Sequence, residues 1–292
     1  MKKKHIAVVG VLHPFVQDFL RQYLNSLSKQ TFVDFDLILF NDGLRDKRIF
    51  KDFLNLNIEI NNIKGTPSQN RKSIVDYLKN SQYEYIVFTD CDDFLSKNRI
   101  EISLIKLEKS KIVFNDLNLI KKNKKTKFNY FSNRISNEEY FSLADLYNFN
   151  ILGFTNTSLK KEVLKNVSFL RNDIEVFDWY FWTTILCKEE AALFTNETVT
   201  NYRIHSANIT GLPQLLSKKL IIQGVNVKKN HYQAFSKTNR NFKKLYETFN
   251  YIHIMLEHKE WQEQYIKNLK EDKVQNPFWW ENIRFYENLL KQ

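Results

Sequence analysis

The chain has 292 residues, 43% of them hydrophobic, enough to fill the core of one large domain or of a domain with an appendage, which excludes a disordered or fibrous protein. A net charge of +11 and a pI near 9.3 point to polyanionic company: nucleic acid, anionic lipid or phosphorylated substrates. No uncharged apolar stretch approaches the roughly 18 to 20 residues that span a bilayer, so the reading is of a soluble or peripheral protein. With only 6 Gly and 4 Pro beside abundant Lys, Asn, Ile and Phe, part of the lysine excess is also what an AT-rich genome produces. Cys91 and Cys187 have neither pairing nor zinc-ligand spacing, which fits a reducing compartment, the cytoplasm by default.

Met1 to Lys4 followed by Ile6 to Leu12 imitates a signal peptide, but the apolar stretch is short and no small-residue cleavage site follows; it reads as a first strand. To about residue 118, short apolar runs alternate with amphipathic segments, the pattern of a parallel sheet with crossover helices. Strands are expected at Ile6 to Val11, Asp36 to Phe40, Asn57 to Ile60, Tyr85 to Thr89 and Ile112 to Asn115. Helical spacing of Phe15, Phe19, Leu20, Tyr23, Leu24 and Leu27 predicts a helix from Pro14 to Lys29, and Ile74, Val75 and Leu78 another from Pro67 to Lys79. Lys121 to Lys125 reads as a basic turn, and mixed short elements continue to about Gly211. From Pro213 the pattern is largely helical, with 14 Lys and Arg against 8 Asp and Glu. Near its end, Trp279, Ile283, Tyr286 and Leu290 share one helical face beside Trp280 and Phe285, with Arg284 and Lys291 flanking, suited either to packing on the preceding domain or to an anionic membrane.

The densest signal is Tyr85-Ile86-Val87-Phe88-Thr89-Asp90-Cys91-Asp92-Asp93, an apolar run that stops at three carboxylates in four positions. Strand alternation would point Asp90 and Asp92 the same way and turn Cys91 inward. Two hard oxygen ligands at the carboxyl end of a buried strand suit Mg2+ or Mn2+, with water and phosphate oxygens completing the shell. A solvated turn is the bland alternative for any isolated Asp-x-Asp. An EF-hand loop fails because Leu95 takes its glycine position, and a haloacid dehalogenase phosphatase motif places Thr or Val where Phe94 stands.

Further segments match one family in order and approximate spacing, and the chain resembles the family 2 glycosyltransferases of the GT-A fold over roughly residues 4 to 211. Leu37-Ile38-Leu39-Phe40-Asn41-Asp42-Gly43 stands where the family has a strand ending in Asp-Asp-Gly. Gly65-Thr66-Pro67-Ser68-Gln69-Asn70-Arg71 stands where it has glycine, small residues and Arg-Asn opening a helix. Glu84 to Asp93 matches its Asp-x-Asp-Asp segment; Phe177-Asp178-Trp179-Tyr180 its acidic residue before an aromatic helix; and Tyr202-Arg203-Ile204-His205 to Gly211 its Tyr-Arg-x-His-x-x-Asn-x-x-Gly segment. Departures are His13 and Pro14 after the first strand and Asn41 for the first Asp, while Asn41-Asp42-Gly43 alone is a good turn sequence and Asp178 alone a plausible helix cap.

The resemblance implies an α/β GT-A fold, a Rossmann-like nucleotide-binding sheet with crossover helices. Residues 1–212 would form the glycosyltransferase domain, 1–118 its nucleotide-sugar half and 119–212 its acceptor half, and 213–292 a helical appendage. It implies an inverting transfer from a nucleotide diphosphate sugar to a hydroxyl of a growing bacterial surface glycan, either free or lipid-linked at the inner membrane face. Asp178 would be the catalytic base, with Asp173 and Glu175 as alternatives. Asp42, Asn70, Arg71, Asp90 and Arg203 would contact the nucleotide, and Asp92, Asp90 and His205 the Mn2+ or Mg2+ ion. An ionised Asp42, acceptor-only, favours the ring N3–H of a UDP- or dTDP-sugar. Two other classes stay open at this stage: a metal-dependent phosphatase or nucleotidyltransferase using the same aspartates, and a basic nucleic-acid-binding protein, for which no motif is present. Nucleic acid is not the expected partner, and an oligomer is compatible with the sequence.

Overall fold

The computed structural model describes residues 5–121, 124–165, 167–168, 171, 174–189, 191–205, 217–271 and 282–286. They fall into two compact units: Met1–Leu146, Asn150–Asn172 and Phe177–Ile204 in the first, Tyr147–Phe149, Asp173–Val176 and His205–Gln292 in the second.

The first unit runs β1 (Ile6–Leu12), α1 (Leu20–Ser28), β2 (Asp36–Asn41), β3 (Asn57–Asn62), α2 (Pro67–Asn80), β4 (Tyr85–Phe88), β5 (Phe94–Leu95), α3 (Arg99–Leu107), β6 (Ile112–Lys121), β7 (Lys124–Lys127), β8 (Tyr140–Phe141), β9 (Thr157–Lys160), α4 (Phe177–Leu186) and β10 (Ala192–Ile204). One sheet collects the strands in the order β3-β2-β1-β4-β9-β6-β10-β5, with β7 on β6 and β8 on β10. β1 pairs in parallel with β2 and β4, and β2 with β3, as the alternating pattern predicts. The parallel run does not pass directly from β4 to β6: β9 inserts between them, antiparallel to both. Since β9 reverses direction twice over, β4 and β6 point the same way, and β10 runs parallel to β6. Their carboxyl ends therefore share one rim of the sheet, where open α/β folds bind ligands.

Ala7, Val8 and Val9 of β1 and Leu37 to Leu39 of β2 are fully buried, near-continuous apolar runs of the kind a sheet covered on both faces requires. Arg99 of α3, itself buried, donates from Nη1 to Ser158 Oγ of β9 at 3.0 Å, tying a covering helix to the inserted strand. The single helix expected from Pro14 to Lys29 is instead a 3-10 turn at Pro14–Val16 and then α1. The first turn closes through i→i+3 bonds, Val16 N–H to His13 C=O at 3.0 Å and Phe19 N–H to Val16 C=O at 2.9 Å, which are tighter than an α-helix allows.

In the second unit, α5 (Lys218–Phe235), α6 (Arg240–Met255) and α7 (Lys259–Glu271) confirm the helical pattern of the carboxyl-terminal region. Ser217 and Asn239 cap the first two by accepting Leu220 N–H and the Asn241 and Phe242 N–H groups. Tyr232, Phe242 and Phe249 pack together in its core, and Tyr232 Oη donates to Tyr147 C=O at 2.8 Å. Of the proposed aromatic face, Ile283 is fully buried and Tyr286 meets the Tyr265 ring edge-on at 6.0 Å. Residues 283–286 are not helical, so the continuous helix expected there is not formed. Tyr265 Oη donates to Arg284 C=O at 2.6 Å, a bond available because that carbonyl is not engaged in a helix. Trp279, Trp280, Leu290 and Lys291 lie outside the described residues. Among the described residues no helix is long and apolar enough to cross a membrane.

Candidate active site

Three chain segments reach the sheet rim, and two of them meet there through Arg71 and Asp90. At the end of β2, buried Asn41 accepts Leu44 N–H on Oδ1 at 2.9 Å and donates from Nδ2 to Asn62 Oδ1 at 3.0 Å. An amide does both where an ionised carboxylate only accepts, which accounts for Asn in place of the family's first Asp. Asp42 follows, half-buried, its N–H donated to Leu12 C=O at 2.8 Å, and Gly43 turns the chain at φ +97°, a conformation that favours glycine.

The second segment opens α2. Thr66 Oγ1 accepts Gln69 N–H at 3.3 Å while Gln69 Oε1 accepts Thr66 N–H at 2.9 Å, a reciprocal cap with Pro67 in the first turn. Asn70, buried, donates to Gly65 C=O at 3.3 Å and so braces the loop entering the helix. Arg71 reaches outward: its Nη2 lies 2.8 Å from Asp90 Oδ1, and its guanidinium sits 4.3 Å above the Phe154 ring.

The third segment is the acidic one. Strand β4 ends at Phe88, and Asp93 N–H donates to Asp90 C=O at 3.1 Å, so the aspartates occupy a turn rather than the extended strand whose alternation was expected. Cys91 is buried nonetheless, and the turn leaves Asp90 and Asp92 half-buried. Beneath them Tyr23 Oη and Thr89 Oγ1 are 2.7 Å apart, and Thr89 donates to Val9 C=O at 2.9 Å, so Tyr23 is the donor of that pair. Gly10 makes room for this: a Cβ there would lie 2.7 Å from Cys91 Sγ and 2.9 Å from Tyr23 Oη.

The three carboxylates have different duties. Asp93 is buried, accepting Arg203 N–H on Oδ1 at 2.7 Å and the Thr155 hydroxyl on Oδ2 at 2.5 Å, which pins β10 to the turn. Burial pushes it well above the usual carboxylate range, with Asp92 and Asp90 adding to the effect. Burial also raises Asp90, against the Arg71 guanidinium, while Asp92 raises it further. The concentration of negative charge is what a cation would relieve.

Asp178 lies in the first turn of α4 and accepts Trp179 N–H at 2.9 Å. Burial pushes its carboxyl up to about 6; Asp90 adds to that rise, and the Trp179 N–H and Arg71 oppose it. Asp178, Arg71 and Asp90 therefore share one electrostatic neighbourhood. Of the other base candidates, Glu175 is exposed in the second unit and accepts from Gln223 Nε2, and Asp173 lies outside the described residues.

Arg203 has its side chain held between aromatic rings, its guanidinium 4.8 Å from Phe19 and 5.1 Å from Phe94, and donates to Gln22 Oε1. His205, half-buried, is the first residue past β10 and falls in the second unit. Sequence reading did not single out Gln22, Phe94, Phe154 or Thr155, nor the structural duty of Asp93. None carries a local motif; each is recruited across 62 or more residues of chain, which no short pattern announces.

Among the described residues no three His, Cys, Asp or Glu side chains form a metal-holding group. Asp90 and Asp92 nevertheless fit a hard divalent ion: they are oxygen donors in a field of like charge, and a two-carboxylate set leaves room for water and diphosphate oxygens.

This is the architecture of a GT-A glycosyltransferase: a parallel half, an inserted antiparallel strand, and acidic residues at the rim. The sequence model for glycosyl transferase family 2 matches residues 15–168, more than half of the chain, and the chain belongs to that family of enzymes. The phosphatase and nucleic-acid-binding alternatives are thereby set aside. No curated protein sequence matches it. Among solved structures it is similar to TarS of S. aureus in complex with UDP-GlcNAc, with a TM-score of 0.60 and 14% identity over 90% of this chain and 78% of that one. It is also similar to the mannosyltransferase PcManGT of Pyrobaculum calidifontis with GDP-Man and Mn2+, with a TM-score of 0.56 and 12% identity over 92% and 74% of the two chains. GalNAc-T7 with UDP, GalNAc and Mn2+ gives a TM-score of 0.55 and 10% identity over 88% and 58%. At such identities the likeness is one of fold.

Proposed function

We propose that this glycosyltransferase transfers a sugar with inversion from a UDP-sugar, or alternatively a dTDP-sugar, to a hydroxyl of a growing bacterial surface glycan, free or lipid-linked. The observation that carries the reading is the meeting of Arg71 with Asp90 at 2.8 Å in the electrostatic neighbourhood of Asp178. The nucleotide sugars bound to TarS and to PcManGT support a nucleotide diphosphate sugar as donor. Asp42, fixed after β2, is the residue for the base, and its acceptor-only carboxylate favours the N3–H of uracil or thymine.

Mn2+ or Mg2+ would be held by Asp92 with Asp90, and when bound it supplies Lewis-acid stabilisation of the departing diphosphate, worth several kcal/mol. Mn2+ accompanies the nucleotide in PcManGT and GalNAc-T7, which supports that assignment. Arg71 and Arg203 are the cations of this unit assigned to the nucleotide's negative charge, with Asn70 holding the helix start that presents Arg71. Asp178 in its ionised form takes the proton of the acceptor hydroxyl as that oxygen bonds to the anomeric carbon. The bond to the diphosphate breaks on the opposite face, which inverts the centre.

The test is Asp178→Asn. Loss of a positioned base lowers kcat by about 10²- to 10⁴-fold, while UDP-sugar binding by calorimetry stays unchanged. Equal loss of transfer and donor binding would remove Asp178 from the base role.

A further inference from the structure

The run from Leu117 to Asn137 contains six Lys and Arg and no Asp or Glu, and the site described above uses none of it. The structure turns it into a hairpin. β6 continues to Lys121, β7 returns as Lys124–Lys127, and the register places Lys121 opposite Lys124 and Leu119 opposite Lys127. Lys121, Lys124 and Lys127 are exposed, and Phe128 beside them is 62% exposed. Like charges facing each other across a strand pair are unfavourable unless something else binds them.

The base of the hairpin is firmly held. Buried Asp116 accepts Leu117 N–H at 2.7 Å, Phe131 N–H at 2.6 Å, Ser132 N–H at 3.1 Å and the Ser132 hydroxyl. Asn129 N–H and Tyr130 N–H bond back to Asn118 Oδ1 and Leu117 C=O at 3.1 and 2.8 Å. Lys127 lies 4.9 Å over the Tyr130 ring and Arg134 5.4 Å from the Phe131 ring, so two cations are positioned by aromatic faces.

Its location follows from the register. Phe94, on the far side of the acidic turn, pairs with Asn201 of β10, and Asn201 pairs with Asn118 of β6, so the turn ends level with Asn118. Lys121 is three residues beyond Asn118, so at ~3.3 Å per residue the hairpin reaches about 10 Å past that level, on the same rim. We propose that this hairpin docks a polyanionic acceptor, a glycan chain bearing phosphate groups, and steers it to the rim on which the acidic turn lies. The proposal rests on the glycan-acceptor reading for the identity of the chain, but the cation cluster is an observation independent of it. A membrane surface is the less fitting occupant, because one exposed aromatic among so many cations offers little apolar area to insert.

Fluorescence anisotropy with labelled inorganic polyphosphate at physiological salt tests the idea. Lys121→Glu/Lys124→Glu/Lys127→Glu should weaken binding by about tenfold or more, since exposed charges act within a Debye length of about 8 Å. Lys244→Glu/Lys259→Glu/Lys270→Glu, an equal change in net charge on exposed residues of the helical unit, should leave it within about threefold. Equal weakening by both variants would overturn the proposal in favour of diffuse attraction. It is overturned as well if the hairpin variant loses binding to phosphatidylglycerol vesicles but keeps its polyphosphate affinity, which would make the surface a membrane contact. Circular dichroism melting of each variant reports folding, and Lys→Gln at the same three positions gives an intermediate loss if the Glu variant melts early. UDP-sugar thermal stabilisation should be the same in all of them; its absence in the wild type would count against the donor assignment and leave the docking result intact.

Discussion

Asp90 and Asp116 each come three residues after a valine that pairs with Ser158 of β9, Val87 in β4 and Val113 in β6, yet the two strands serve their aspartates in opposite ways. Asp116 is buried and accepts three backbone N–H groups and a hydroxyl, a set that satisfies a carboxylate and fixes a hairpin. Asp90 accepts from Arg71 and is crowded by Asp92, and burial raises its pKa. The difference teaches that burial by itself does not mark a functional carboxylate. For the role proposed for Asp90 the relevant property is instead a charge that the groups around it compensate incompletely.

The comparison breaks most visibly at Asp92. Asp92→Asn is expected to lower kcat by about 10²- to 10³-fold, matching the several kcal/mol ascribed to a metal at the diphosphate. The Mn2+-dependent rise in Tm should vanish with it, while the metal-free Tm moves little. Asp116→Ala should do the reverse: a loss of about 3 kcal/mol in urea unfolding, since several buried donors lose their acceptor, with the Mn2+ response of the folded protein retained.

Asp178 sharpens the comparison through pH. Its carboxyl is held up at about 6 by burial, so the transfer rate should climb roughly tenfold per pH unit below that value and level off above it. The folded state favours the protonated form, so the associated stabilisation is complete below the ordinary value of 3.8 and is lost as pH rises through about 6. Asp178→Asn should therefore stabilise the fold at pH 7.5 by on the order of 2 kcal/mol, with no gain near pH 4, as read by denaturant midpoints. The smallest effect is expected at Gly10→Ala, about 1 to 2 kcal/mol, because Cys91 and Tyr23 must shift to admit a methyl group. That shift should weaken Mn2+ stabilisation through the acidic turn.

Much of the parallel half of the sheet is legible without coordinates. Buried parallel strands are apolar along their whole length, so β1, β2 and β4 stand out as runs, and Thr66, Pro67 and Gln69 announce the start of α2 by cap chemistry. The strand that separates β4 from β6 is not legible: Thr157–Lys160 is short and half polar, and its place depends on partners found at both of its edges.

The sequence alone determined the order of the rim segments, the acidic run, the aromatic helix behind Asp178 and the excess of cations, because each is a local pattern of residue type and spacing. Only the tertiary structure decided that Asp93 is a strut pinning Arg203 and Thr155, that Arg71 spans from α2 to Asp90, and that the basic hairpin shares a rim with the acidic turn. Those outcomes depend on desolvation and on donors brought from distant positions, and neither is written in any short stretch of chain.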